Sequence, residues 1–408
     1  MKKILSIFFL LSLIALSACG SNENGGASNE ELIFWSYISP TNPDGELLEE
    51  MIDDYNESHD GKNVKHEYIP HGDYHQQLST AVAGDSLPDI LILDNPDHAR
   101  YASMGVLADL TDEIDEWGEK ENFLEGPWDS TVYEGKNFGV PFYSNALAMF
   151  YNKDIFKENG IDNPPETWEE LKEESTKLTQ GSTFGFAMAG TSGPEGLFHF
   201  LPFLLSTGAN YDKLDSPEAA EAFEFLAGLI EDGSMNSEML NWGQGDVLNQ
   251  FSAGNAAMMV NGPWQISSLE EQSPDLNFGI ALLPKDEKFA SVLGGENFAV
   301  PKGDSEDAAW EFVKWMTEAE QMEKFTVESG QFPSRTDVAE SNDHWEKDAH
   351  LSVFLEAVEK AQPRGPHPEW NKIAETIQNS VQNALTGSLT PEKAAEEAAN
   401  QVTDLLEK

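Results

Sequence analysis

Three observations predict an α/β protein of two domains. Short apolar, β-prone runs alternate with stretches of helical periodicity, the chain is long enough for two cores, and no long low-complexity linker divides it. The last point implies several short crossings between the domains, since a single hinge would leave one linker.

Leu32-Ile33-Phe34-Trp35 reads as the first strand. Residues 45–59 follow as a helix, with Leu47, Leu48, Met51, Ile52 and Tyr55 on one face. Residues 64–69 alternate as a second strand, 74–83 form a helix, and Ile90-Leu91-Ile92-Leu93 is a buried third strand. Strand, helix, strand, helix, strand predicts a parallel sheet with right-handed crossovers, and such sheets take ligands beyond the carboxyl ends of their strands. Trp35, Ser36 and Tyr37 lie at one predicted strand end, Asp94 and Asn95 at another. Further along, Val140-Pro141-Phe142-Tyr143-Ser144-Asn145 precedes a strand-like run at 147–151. Helical periodicity then covers 168–178, 197–205, 217–230 and 245–252. Residues 256–260 form a buried strand closed by Asn261-Gly262-Pro263-Trp264, residues 297–300 a further strand, and 305–317 an amphipathic helix. The segment 370–406 is helical with a break near Gly387. There is no internal repeat.

The N-terminal segment has a different logic. Lys2 and Lys3 precede an apolar run from Ile4 to Leu16, interrupted by Ser6 and Ser12. A positive tip and a short apolar stretch make a secretory signal, too short for a stable membrane span. Leu16-Ser17-Ala18-Cys19-Gly20 resembles the lipobox of bacterial lipoproteins. That resemblance implies a signal peptide over 1–18, cut before Cys19, and a lipid on its thiol. Residues 19–30, rich in Gly, Ser and Asn, form a flexible tether. The expected location is the outer face of a cell membrane, of the Gram-positive type, and the mature chain has no disulfide because Cys19 is its one cysteine.

Twenty-four Lys and Arg stand against 73 Asp and Glu, a net charge of −49. Nucleic acid is excluded as a partner, since phosphate contacts require clustered cations, and anionic ligands are disfavoured. The excess carboxylate fits adaptation of an extracellular surface to a saline or alkaline habitat.

Across nearly the whole mature chain the sequence resembles the extracellular solute-binding proteins of ABC importers, of the maltose-binding type (family 1). The likeness rests on the order of Leu87-Pro88-Asp89-Ile90, Val140-Pro141, Tyr151-Asn152-Lys153-Asp154-Ile155-Phe156, and Pro164-Pro165-Glu166-Thr167-Trp168. It continues through Phe251-Ser252-Ala253-Gly254-Asn255-Ala256-Ala257-Met258, Trp264, Gly294-Gly295, and Ala309-Trp310-Glu311-Phe312. Gly330-Gln331-Phe332-Pro333 and Leu385-Thr386-Gly387-Ser388-Leu389-Thr390-Pro391 complete it. The resemblance implies the two-lobed periplasmic-binding-protein fold (type II). Each lobe would be a mixed, mostly parallel sheet flanked by helices, with a ligand cleft between lobes. The N-terminal lobe is expected at 31–142 with 298–345, the C-terminal lobe at 146–295 with 350–408, and the crossovers near 142–146, 295–300 and 345–350. The implied function is non-enzymatic and needs no cofactor. A monomeric receptor, moored at Cys19, would bind a neutral sugar or short oligosaccharide and deliver it to membrane permease subunits.

A sugar ring has apolar C–H faces that stack on aromatic rings, and hydroxyls that need donors and acceptors. Trp35, Trp242, Trp264 and Trp370 are the stacking candidates, with Tyr37, Tyr74 and Tyr143 behind them; Trp264 and Trp370 match stacking positions of maltose-type proteins. Asp94, Asn95, Glu296 and Asn297 are candidate hydroxyl partners. Asn145 falls where maltose binders carry a carboxylate, which points to another sugar. Arg335 and Arg364 serve either ligand or structural carboxylates, and Trp310 and Trp315 are expected in the core. His71 and His75 have an i, i+4 spacing but lack the glutamate of a zincin, so no metal is expected. Two other readings stay open: a surface glycoside hydrolase, which needs a pair of carboxyls, and a receptor for a non-sugar solute such as a glycerol phosphate ester.

Overall fold

Strand pairing gives two main sheets and a two-stranded pair, Val132–Tyr133 with Lys136–Asn137. The structure, a computed structural model, describes residues 31–407; the signal segment, Cys19 and the tether lie outside the described residues.

The larger sheet has six strands, ordered Phe332–Pro333, Gly139–Asn145, Gly294–Ala299, Ile90–Asp94, Leu32–Ser36 and Val64–Tyr68. Leu32–Ser36 pairs in parallel with both Val64–Tyr68 and Ile90–Asp94. Its crossover helices are Pro43–Ser58 and His71–Gly84. The first starts with proline and carries Asp44 and Glu46 in its opening turn, which suits the exposed N–H groups and the positive end of the dipole. Ile90, Leu91, Ile92 and Leu93 are all buried, as expected of a strand covered on both faces. The smaller sheet has four strands, ordered Phe278–Ala281, Ala148–Asn152, Ala256–Asn261 and Phe184–Ala187.

Both sheets are mixed, but parallel pairing is less prominent than expected. Gly294–Ala299 runs antiparallel to both of its neighbours, and Ala148–Asn152 does too. These strands enter from the opposite lobe, so no right-handed helical crossover fixes their direction. The passages also differ from expectation. Gly139–Asn145 belongs to the larger sheet and Ala148–Asn152 to the smaller, so the first passage is at 146–147. The second lies between Ala281 and Gly294, because Gly294–Ala299, expected to be a crossover, is a central strand. The third precedes 345–350: Phe332–Pro333 pairs in the larger sheet, while Val338, Trp345, Leu351 and Phe354 pack with Phe150 and Phe251 of the other lobe.

Buried clusters cover both faces of each sheet. Phe34, Phe142, Phe298, Phe312 and Trp310 fill one side of the larger sheet, with Trp315 partly buried at its edge; Tyr74, Leu91, Leu93 and Tyr101 fill the other. Behind the smaller sheet, the helices Trp370–Leu385 and Pro391–Leu406, separated at Gly387, pack on Pro217–Glu231 and Pro194–Ser206.

Candidate functional site

A cavity of about 350 Å³ lies between the two lobes. Its first wall is made by strand ends of the larger sheet. Glu296 is the register partner of Asp94 on one side and of Tyr143 on the other, which puts the three in one row across the sheet. The pairing shifts between Glu296 and Asn297, opposite Tyr143 and Pro141. Pro141 has no N–H to offer, and a bulge absorbs that deficit while turning the strand end toward the cavity. The backbones approach so closely here that a Cβ on Gly295 would stand 2.3 Å from the Tyr143 carbonyl oxygen. Tyr37, just past the first strand, donates from its hydroxyl to Glu296 Oε1 at 3.2 Å.

This wall is electrostatically unusual. Burial, reinforced by the Asp94 charge, pushes the Glu296 carboxyl up to about 8 against the opposing pull of Tyr37 and Arg364. Its Oε2 is buried without a well-formed hydrogen bond. Burial also raises the Asp44 carboxyl to about 7, and Asp44 Oδ1 likewise lacks a well-formed hydrogen bond. Tyr37 and Tyr143 are held well above the usual phenol range by burial and then by the Glu296 charge, so both are hydrogen-bond donors at any physiological pH.

The second wall comes from the smaller lobe and is built from loop ends and first helical turns. Trp264 follows the strand Ala256–Asn261, and its ring lies so close over Gly262 that a Cβ there would come within 2.0 Å of it. Only glycine permits that contact. Phe198, on the helix Pro194–Ser206, holds its ring at 27° to that of Trp264, with centroids 6.5 Å apart. Glu195 accepts the backbone N–H of Gln244, the first residue of the helix Gln244–Ser252, at 2.7 Å, a charge-assisted bond at a positive helix end. Gln244 and Gln265 complete the wall.

Arg364 joins the walls. Its guanidinium donates to both oxygens of Asp94 at 2.8 and 2.6 Å and to the Leu293 carbonyl at 3.2 Å. It also stacks 4.3 Å above the Phe198 ring. Arg364 thus lines the cavity while neutralising a structural carboxylate. Arg335 does not line it. That side chain is 3% exposed and pairs with Glu119 and Asp337, both at 2.8 Å. His71 Nδ1 lies 3.9 Å from Glu195 across the cleft, and His75 Nε2 lies 3.4 Å from Asp97. The described residues contain no group of three or more metal-ligating side chains.

Of the twelve ligand candidates, Tyr37, Asp94, Tyr143, Asn145, Trp264 and Glu296 line the cavity. The other six are placed elsewhere. Trp35 is partly buried against the core on one face of the larger sheet and donates to Glu67 of the neighbouring strand. Tyr74 is buried, its hydroxyl spent on the carbonyls of Trp35 and Ile92; it buttresses Tyr37 edge-on at 5.0 Å. Asn95 is buried beneath Gly295. Asn297 points to the opposite face from Glu296, as neighbours on a strand do, and donates to Ser130. Trp242 packs against the cores on both sides of the smaller sheet. Trp370, 1% exposed, is a core residue with Ile373, Ala374 and Ile377 at helical spacing. That spacing was visible in the sequence and marks a packing face.

Sequence reasoning missed Asp44, Tyr68, Glu195, Phe198, Gln244, Gln265 and Gln331, all of which line the cavity, and saw His71 and His75 only as a metal motif. Tyr68, 40% exposed, ends the second strand and obeys the same strand-end rule that selected Tyr37. Glu195, Gln244 and Gln265 stand in the first turns of helices, a signal available but unused. The arrangement accepts a ligand with a flat apolar face and many hydrogen-bonding groups.

The sequence model described as bacterial extracellular solute-binding protein matches residues 50–353. An arabinooligosaccharide-binding protein of Bacillus subtilis is 25% identical, over 93% of this chain and 94% of its own length. A maltotriose-binding protein of Pyrococcus abyssi is 26% identical, over 85% and 74% respectively. Among solved structures, an ABC transporter solute-binding protein of Thermotoga lettingae bound to α-D-tagatose superposes with a TM-score of 0.85 at 26% identity, covering 92% of this chain and 99% of that one. The maltose-bound MalE3 of T. maritima gives 0.83 at 26% identity, covering 92% and 100%.

Proposed function

From the premise that this chain belongs to the family of bacterial extracellular solute-binding proteins, we propose that it is the receptor of an ABC importer. It binds a sugar or short oligosaccharide in the interlobe cavity and delivers it to membrane permease subunits. One observation carries the reading: an aromatic wall, Trp264 and Phe198, stands opposite a row of hydroxyl-binding groups, Asp94, Glu296 and Tyr143. A pyranose or furanose ring presents the same two surfaces. Its relatives bind arabinooligosaccharides and maltotriose, which supports the class without choosing the sugar. The location is extracytoplasmic. Lipid on Cys19, removal of 1–18 and a monomeric receptor complete the proposal, with the tether keeping the binding body close to its permease.

Binding proceeds without turnover. Thermal-shift and calorimetric titration with mono- and oligosaccharides tests the reading, because a ligand bound by the folded state alone raises apparent stability. A saturable response to at least one sugar, with no cleavage products after incubation, is expected. Silence toward every sugar, with binding of a peptide or a glycerol phosphate ester, sinks it.

A further inference from the structure

The cavity has more acceptors than the protein itself can satisfy. Glu296 Oε2, Asp44 Oδ1 and Gln331 Oε1 are buried without a well-formed hydrogen bond and belong to residues lining this one cavity; the hydroxyls that bear on the two carboxyls, those of Tyr37, Tyr143 and Ser267, are neutral. Gln331 is itself 3% exposed, so its amide oxygen cannot be rescued by bulk water. Two of the three are carboxyls. Of the other charged groups in the lining, Arg364 is committed to Asp94 and the Leu293 carbonyl, and Glu195 to the Gln244 N–H with His71 beside it. No lysine lines the cavity. Asp44 and Glu296 are therefore left without a committed cationic partner.

Buried carboxyls are normally paired, or else they hold a proton. A neutral ligand would bring neither Asp44 nor Glu296 a compensating charge. An ammonium group offers three N–H donors and one positive charge, which suits a buried carboxyl that has no cationic partner. The surrounding field, from a chain of net charge −49, draws cations and repels anions.

Resting on the sugar-receptor reading above, we propose that this cavity takes a saccharide bearing a free amine, whose ammonium is held by Glu296 and Asp44, in preference to the same saccharide bearing a hydroxyl or an acetamide at that position. Acetylation removes both the charge and two of the three donors. The protonation of Glu296 and Asp44 in the unliganded cavity supplies a second signature. An incoming ammonium stabilises their ionised forms, so binding at neutral pH releases protons to the buffer.

The test is calorimetric titration of the purified full chain with matched triplets: glucose, glucosamine and N-acetylglucosamine; galactose, galactosamine and N-acetylgalactosamine; cellobiose, chitobiose and N,N′-diacetylchitobiose. It is run at pH 7 in two buffers of different ionisation enthalpy. At least one amine should bind tenfold or more tighter than its hydroxyl counterpart, with net proton release. Glu296→Gln should abolish that preference, and Asp44→Asn should reduce it. If neutral members bind as tightly as the amines, or binding releases no protons, the amine proposal is overturned and the sugar-receptor reading stands. If no triplet member and no longer sugar binds, the receptor reading itself fails. The parent-protein comparison decides between these outcomes even if a variant folds poorly.

Discussion

The two walls of the cavity are built on different principles. The larger sheet contributes Asp94, Glu296 and Tyr143 from consecutive positions across three paired strands, so backbone hydrogen bonds set their spacing. The smaller lobe contributes Trp264, Phe198, Gln244 and Gln265 from a loop and from first helical turns, where packing and helix ends set the geometry. The first wall is charged, hydrogen-bonding and fixed in register. The second is aromatic and amide-rich. A ligand that touches both walls spans the two lobes. Arg364 links the walls, since it neutralises the first through Asp94 and stacks on the second through Phe198.

Three substitutions test this contrast. The largest effect is expected behind the aromatic wall. Trp370→Ala removes a fully buried ring from the core of the smaller lobe and should cost about 3–5 kcal/mol of stability, read by denaturant unfolding. Sugar affinity of the remaining folded protein should be unchanged; a selective loss of affinity would move Trp370 into the binding wall.

In the wall itself, Trp264→Ala should weaken sugar binding by about 1–3 kcal/mol with little loss of fold, because a half-buried ring gives up its stacking face and part of its apolar contact. Calorimetry checks this, and unchanged affinity would exclude Trp264 from ligand contact.

The smallest effect belongs to the charged wall and depends on pH. Glu296 has an ordinary value of 4.5 that rises to about 8 in the folded protein. Between those values the native state keeps a proton that the unfolded chain has released, so the contribution of Glu296 to stability falls as pH rises from about 4.5 to 8. Glu296→Gln removes that fall. The variant should gain about 1–2 kcal/mol relative to the parent between pH 5 and pH 8 in unliganded protein, after allowance for partial solvation. Part of the decline should persist through Asp44, which titrates in a lower window ending near 7. An equal pH dependence in parent and variant would show that Glu296 is solvated and ionised throughout.

Much of the first wall was legible in the sequence, and much of the second was not. Strand–helix alternation located the carboxyl ends of the larger sheet and hence Tyr37 and Asp94; the family pattern added Tyr143, Asn145 and Glu296. Helix starts carry no comparable rule, because which helix end meets the cavity depends on how the lobes pack. Glu195, Phe198, Gln244 and Gln265 were missed for that reason. Aromatic identity alone was misleading: Trp35, Trp242 and Trp370 turned inward, since large rings gain more from burial in a core than from a loop position.

The alternating periodicities of residues 32–94 and the ordered motifs determined the α/β class and the solute-binding family. These are properties of local spacing and composition, which survive without knowledge of any long-range contact. Tertiary structure alone decided that Gly294–Ala299 is a central strand of the larger sheet, that Arg364 grips Asp94 from 270 residues away, and that Glu296 and Asp44 are buried with acceptors to spare. Burial and pairing across the cleft arise only when distant segments meet, and no periodicity along the chain records them.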